Sequence, residues 1–520
     1  MESIVMRCFV ALSILFIHVA TGVAQTGSTA QAPSQNNTTR PVRTQDTFRT
    51  TTRLVVLDVV ATDDKGNPVK DLKADDFTVT EDGVAQEVID FSFHAPGSIT
   101  TTSTQPNVIS NVPQYIGQSC LNIILLDAIN TDFSNHAYAQ DQLVKYLDSG
   151  PAIQPTAVYA LEGNLKLLHD FTTDPKPLRE VLAHYKSLGP THLPTVEAAA
   201  SPFGHRGTFQ PVHQGRAAAF YAMSSLAESL RGYPGRKNLI WISDGFPLNL
   251  FPDAMMGDGV MVIEDFSLVM EKIADDLMTA QVAVYPISAA GVSMNSQFDA
   301  HSAMAGLAER TGGKTFFNRN DLEVGVRTSI DDGSTYYTLE YYPQNKKWDD
   351  KFRHIGVKVT RTGLKLQHRD GYYGSSPSIP YGDNVVDHQL SDAMSINAPS
   401  ATGVVFQAAV VPPSAATQNR VVVNFAVDPH GLAFQHGADD FEHASLSCLV
   451  WAYSGKGDPT RAEGTSNAAL NQEQFHQVQQ SYFPCRRALD LKPGHYTLRL
   501  GVIDMNTSLL GTAITQVTVP

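Results

Sequence analysis

Leu121-Asn122-Ile123-Ile124-Leu125-Leu126-Asp127 runs almost wholly apolar and stops on a carboxylate. Leu239-Ile240-Trp241-Ile242-Ser243-Asp244-Gly245 does the same further along the chain. Neither alternates polar with apolar residues, so each reads as a strand buried on both faces. Helical patterns lie around them at 137–147, 177–188, 216–230, 262–279, 301–311 and 321–329, with further strands at 157–161, 282–287 and 314–317. This alternation predicts an α/β fold: a doubly wound, mainly parallel sheet covered on both faces. In such sheets ligands settle at the carboxyl ends of the strands, beside the point where strand order reverses. Asp127 and Asp244 both fall on that edge.

The flanks are β-rich. Residues 47–98 read as a small β module, with a strand at 54–61, the turn Asp63-Asp64-Lys65-Gly66-Asn67-Pro68, and two strands either side of Asp82-Gly83. An Asp-Gly step between such segments is a hairpin signal. Residues 99–118 are a Thr/Ser/Pro/Asn linker, and 119–331 hold the α/β domain. Strands at 336–342, 353–360 and 364–369 predict an antiparallel meander within 332–374. A linker at 375–400 and a C-terminal β-sandwich at 401–520 complete the chain. The 47–98 module and the meander are each small for a core of their own. They are therefore expected to pair into one β-sandwich, with the α/β domain inserted between them.

The chain has 520 residues, 42% hydrophobic and 17% charged, with a formal net charge of −14. Such a surface excludes nucleic acid as a partner, because backbone binding needs a Lys/Arg surface. Arg7 precedes an apolar run at 8–20, followed by the small residues Thr21-Gly22-Val23-Ala24. A run of about 13 residues is shorter than the roughly 20 that a membrane helix needs, and it predicts a cleaved signal peptide at 1–24. Residues 25–46 read as a disordered linker, and no later stretch is apolar enough to span a bilayer. The expected location is periplasmic, or extracellular at the cell surface. An oxidising compartment permits a disulfide, for which Cys448 and Cys485 are the expected pair, while Cys120 reads as a buried small hydrophobe.

Over about 119–331 the chain resembles the von Willebrand factor A family, on Leu125-Leu126-Asp127-Ala128-Ile129-Asn130-Thr131 and Ile242-Ser243-Asp244-Gly245. In that family the first strand ends in Asp-x-Ser-x-Ser. The Asp, both hydroxyls, a loop Thr and a later Asp surround Mg²⁺, and the partner completes the shell with a carboxylate. A hard cation wants such oxygen ligands. The resemblance thus implies Asp127, Thr131 and Asp244 as metal ligands. Ile129 stands where the first Ser belongs and cannot ligate, so the motif is a degenerate one; the loop Thr falls among Thr191, Thr195 and Thr208. The alternative is that Asp127 and Asp244 close loops by accepting backbone hydrogen bonds, with no cation. A narrower resemblance, to VWFA-related domain proteins of the type common in Acidobacteria, spans most of the chain. It rests on Asp58-Val59-Val60, Asp63-Asp64-Lys65-Gly66-Asn67-Pro68-Val69, Asp75-Asp76-Phe77, Glu81-Asp82-Gly83, Gly235-Arg236-Lys237-Asn238 and Arg369-Asp370-Gly371-Tyr372-Tyr373. It implies architecture and export.

Other patterns point away from chemistry. Ala308-Glu309-Arg310-Thr311-Gly312-Gly313-Lys314-Thr315 fits a relaxed phosphate loop, but a helix leads in and a strand leads out, the reverse of a phosphate cradle. It reads as a helix cap at Gly312 or Gly313. His192, His205 and His213 share a loop without compact zinc spacing. The pairs Tyr336-Tyr337 and Tyr341-Tyr342 read as cross-strand packing. No His-Glu-x-x-His or Gly-x-Ser-x-Gly sequence occurs. The expected function is that of an exported, non-enzymatic protein-binding or adhesion-type protein using the carboxyl edge of the α/β domain. The alternatives are a scaffold that binds through its C-terminal sandwich, and an exported hydrolase using the 189–213 loop.

Overall fold

The computed structural model describes residues 54–520 apart from 98–99, 102–107, 117–119, 150–153, 163, 188–221, 246–248, 251–263, 266, 293–297, 348, 350, 375–389, 415–418 and 456–457. The expected leader at 1–24, the linker at 25–46 and the 189–213 loop with its His and Thr residues lie outside the described residues.

Four strands come first: β1 (Val55–Thr62), β2 (Phe77–Glu81), β3 (Val84–Gln86) and β4 (Val88–His94). Asp82 and Gly83 between β2 and β3 take φ of 49° and 81°, the backbone that a tight hairpin of this hand demands. The α/β domain follows. It runs β5 (Cys120–Asp127), α1 (Phe133–Asp148), β6 (Thr156–Leu161), β7 (Leu165–Thr172), α2 (Pro175–His184), and α3 at 222–230. Then come β8 (Arg236–Ser243), α4 (Ser267–Thr279), β9 (Val282–Ser288), α5 (Phe298–Thr311) and α6 (Leu322–Ser334).

Its sheet has the order β7-β6-β5-β8-β9, parallel except for β7. β5 has a neighbour on each side and helices on each face, so all 8 of its residues are buried. Leu121, Ile123 and Leu125 share a core with Leu226, Leu277 and Met304 on one face. Ile124 and Leu126 pack with Leu143, Leu178 and Val326 on the other. The chain steps from β5 to β6 on one side and later to β8 on the other. Strand order therefore reverses between the carboxyl ends of β5 and β8.

Beyond α6 lie β10 (Tyr336–Tyr341), β11 (Phe352–Val359), β12 (Lys365–Gln367) and β13 (Gly371–Tyr373). They do not form the expected meander within 332–374. β10 inserts between β1 and β4 in a sheet of order β12-β1-β10-β4, whereas β11 joins the facing sheet, β13-β11-β2-β3. Neither half of the chain holds enough strands to cover its own apolar face, so β1, β2 and β4 pair with strands from beyond the insertion. Val55, Leu57, Val59, Phe77, Tyr337, Leu339 and Ile355 then form one core. Tyr336, Tyr337 and Tyr341 are fully buried in this packing, and Tyr342 alone stays outside.

The last domain contains β14 (Phe406–Val411), β15 (Arg420–Val427), β16 (Glu442–Tyr453), β17 (Thr460–Leu470), α7 (Gln472–Gln479), β18 (Phe483–Asp490), β19 (Gly494–Asp504) and β20 (Leu509–Val519). Its two sheets enclose a single apolar core. A disulfide between Cys448 on β16 and Cys485 on β18 joins them, with Cα atoms 6.8 Å apart.

Both expected linkers carry structure. Within 99–118, Ile109–Ser110 adds a short strand to β14, and the Asn111 side chain donates to Ala401 O and Val404 O while accepting from Phe406 N. Within 375–400, Ala393 O and Pro399 O accept from the buried Arg499 guanidinium, and Asn397 O accepts from Leu167 N. These backbone groups are satisfied by neighbouring domains instead of water, which linker composition does not disclose. Gly312 closes α5 at φ 73°, and a Cβ on Gly313 would lie 1.8 Å from Val284 O, so this pair is a helix terminus packed on β9.

Candidate functional site

Asp127 ends β5 and is fully buried. Its Oδ1 accepts from Ile129 N at 3.1 Å and Asn130 N at 3.0 Å. The Asn130 amide spans both oxygens, at 3.3 and 3.0 Å. Trp241 Nε1 at 3.2 Å and Ser243 Oγ at 3.0 Å donate to Oδ2. Those last two arrive because β8 lies beside β5 in a register that pairs Trp241 with Leu125. Burial pushes the Asp127 carboxyl up, and the Asn130, Ser243 and Trp241 hydrogen bonds pull it back. A carboxylate offers about four lone-pair directions, and these donors take them all.

Asp244 sits one residue beyond β8 and is 4% exposed. Its Oδ2 accepts from Asp132 N and from Asn135 Nδ2, both at 2.9 Å. It thus holds the start of α1 from a neighbouring strand, through the Asp132 N–H and the Asn135 side chain, while Asp132 makes no side-chain cap of its own. Asp244 N donates to Thr131 Oγ1 at 3.3 Å. Asp244 Oδ1, however, is buried and has no hydrogen-bond partner, and Asn130 Oδ1 is in the same state. Burial pushes the Asp244 carboxyl up, against the Asn135 and Asp132 hydrogen bonds. The structure therefore brings Asp127, Thr131 and Asp244 together at one edge, with more buried acceptors than donors.

Exposed apolar residues lie on the segments that leave the carboxyl ends of β5 and β9. Phe133, next to Asp132, is 71% exposed, and Val292, on the loop after β9, is 65% exposed. They are the two most exposed large apolar residues among those described. Tyr138 on α1 donates to Asn320 O at 2.6 Å, and Asn320 Oδ1 accepts from Val292 N at 3.0 Å, which ties the loop to the helix. Sequence reasoning missed Asn130, Asn135, Ser243, Phe133 and Val292. The i to i+3 spacing of Asp127 and Asn130 is a turn signal that could have found the first of these.

The donor set does not fit Mg²⁺ in the manner of the family motif. Ile129 is apolar and buried where a hydroxyl belongs, and neutral donors occupy Asp127. The Ser243 hydroxyl is buried and donates to Asp127, so it is not an available nucleophile. No helix among the described residues is long and apolar enough to cross a membrane.

An open sheet of this order, with an antiparallel edge strand and two carboxylates at the reversal, is the α/β architecture that the von Willebrand factor A resemblance implies. That α/β domain is set between the halves of a β-sandwich. No family model matches the sequence, and no curated protein matches it. Solved structures similar to it include a von Willebrand factor type A protein from Catenulispora acidiphila, at 8% identity over 86% of this chain and 74% of that one, TM-score 0.22. Another is the three N-terminal domains of the type V pili tip protein Mfa5 from Porphyromonas gingivalis, at 10% identity over 66% and 76%, TM-score 0.26. A third is the ArnB paralog VWA2 from Sulfolobus acidocaldarius, at 7% identity over 90% and 75%, TM-score 0.22.

Proposed function

We propose that this protein is an exported, non-enzymatic binding protein of adhesion type that engages another protein through the carboxyl edge of its A-like domain. One observation carries the reading: Asp244 holds a buried carboxylate oxygen without a partner at the carboxyl edge, and the two most exposed large apolar residues among those described, Phe133 and Val292, lie on segments that leave that edge. Interfaces are anchored by a few apolar or aromatic residues around polar groups that the partner satisfies. Export rests on Arg7 and the short apolar run at 8–20.

The test uses the mature chain as bait on lysate and culture medium, with captured proteins identified by mass spectrometry. A Phe133→Ser, Val292→Ser double variant and an Asp244→Asn variant should lose the partner. Ile514→Ser, on the exposed face of the C-terminal sandwich, should keep it. The opposite pattern would move the function to the sandwich and leave the A-like edge inert.

A further inference from the structure

We infer that the group this edge receives is a cationic side chain, a lysine or arginine of the partner, taken up directly and without a metal ion. The inference rests on the edge being the binding surface. Asp127, Asp132 and Asp244 converge at the carboxyl ends of β5 and β8. Among the described residues no lysine or arginine forms an ion pair with any of them; Arg319, on the loop carrying Asn320, is already held by Asp321 at 2.7 Å. The buried oxygens left over, Asp244 Oδ1 and Asn130 Oδ1, are both acceptors. The His301 ring beside Asp244 has its Nε2 3.2 Å from the backbone oxygen and leaves Oδ1 without a partner. An unsatisfied buried acceptor is costly, and a carboxylate more so, so the chemistry missing from this edge is a donor bearing positive charge.

A metal ion answers that need poorly, because Ile129 supplies no ligand and Asp127 has no lone pair to give. Lysine and arginine answer it well. They bring three and five N–H donors on long apolar stems, which exposed residues such as Phe133 and Val292 on the segments leaving this edge can cover. The net charge of −14 draws a basic partner from a distance.

The experiment displays glycine pentapeptides with one central lysine, arginine or aspartate densely on a sensor surface and passes the full mature chain over them. In EDTA, the lysine and arginine surfaces should retain the protein, and retention should fall as salt rises. Asp244→Asn should weaken it about tenfold, the loss of one charge-assisted hydrogen bond. Asp490→Asn, on a far exposed strand end, should change nothing, which separates the site from general attraction to an acidic protein. Equal retention of Asp244→Asn and the unaltered chain would overturn the inference. So would retention on aspartate that requires Mg²⁺, or no retention on any surface. If these arms fail while the Phe133 and Val292 variant still loses its captured partner, the edge stands and only the chemistry of the partner falls.

Discussion

Lys237 is a lysine with almost nothing to justify its charge. It lies on β8 fully buried, and its Nζ donates to Tyr233 O at 2.6 Å. Burial pulls its pKa down to about 7. The unfolded chain therefore holds this proton between about pH 7 and 10.5 while the folded one releases it, so stability rises with pH across that window. Below about 7 the full cost of the buried charge is carried. Lys237→Met keeps the volume and removes the charge, and should stabilise the protein at neutral pH by about 1–4 kcal/mol, in line with other buried charges so replaced. Thermal melts near pH 7 and near pH 10 check this: the native chain should gain stability towards the alkaline end and the variant should not. Asp127 and Asp244 are displaced in the opposite sense, upward, so the cation-binding edge should lose its charge at a pH above the ordinary carboxylate value of 3.8. Both residues were legible in the sequence as carboxylates ending apolar strands. What saturates Asp127 was not, because Trp241 and Ser243 reach it only through the register of β8 on β5.

Elements in this protein are pinned to one another by buried guanidinium groups and carboxylates that strand patterns do not reveal. Glu81 on β2 is the centre of one such cluster. Its Oε2 accepts from Tyr372 at 2.7 Å and from Tyr341 at 3.1 Å, and Arg353 Nη1 lies 3.6 Å from Oε1. Tyr341 belongs to β10 in the facing sheet, so this contact ties the two sheets through the core. Arg353 also donates to Asn345 O at 2.5 Å, which holds the loop between β10 and β11. Removing the carboxylate leaves a buried cation uncompensated. Glu81→Ala should cost about 3–5 kcal/mol, and Glu81→Gln, which keeps an acceptor for the tyrosines, should cost less. Denaturant unfolding of both variants checks the order, and equal losses would mean that charge plays no part. The strands themselves were legible, since apolar runs at 54–61, 121–126 and 239–242 have no other stable disposition. Their partners were not. Pattern alone makes 336–341 and 353–360 neighbours, and the need to bury both sheet faces separates them.

At the scale of the whole molecule, the A-like domain is an insertion whose two ends meet. β4 ends at His94 and β10 begins at Tyr336, and these two residues are paired in the same sheet with their rings stacked 4.6 Å apart. The chain leaves the sandwich and returns to it across one rung of a β-ladder. The strands on either side of that rung are antiparallel, so a two-residue turn should close them as a hairpin. Replacing 95–335 by Asn-Gly in a chain that ends at 374 should therefore yield a folded sandwich, because its core of Val55, Leu57, Phe77, Tyr337, Leu339 and Ile355 uses no residue of the insertion. It should be less stable than in the full protein. Tyr336 would lose its bond from Arg236 N, and Gln367 would lose its bonds to Tyr285 and to Gly312 O. A cooperative melt with dispersed methyl resonances is the expected result. A non-cooperative melt would show that the sandwich depends on the domain it carries, and the seam through Tyr336 and Gln367 would then be the place where a load on the binding edge is passed to the rest of the chain.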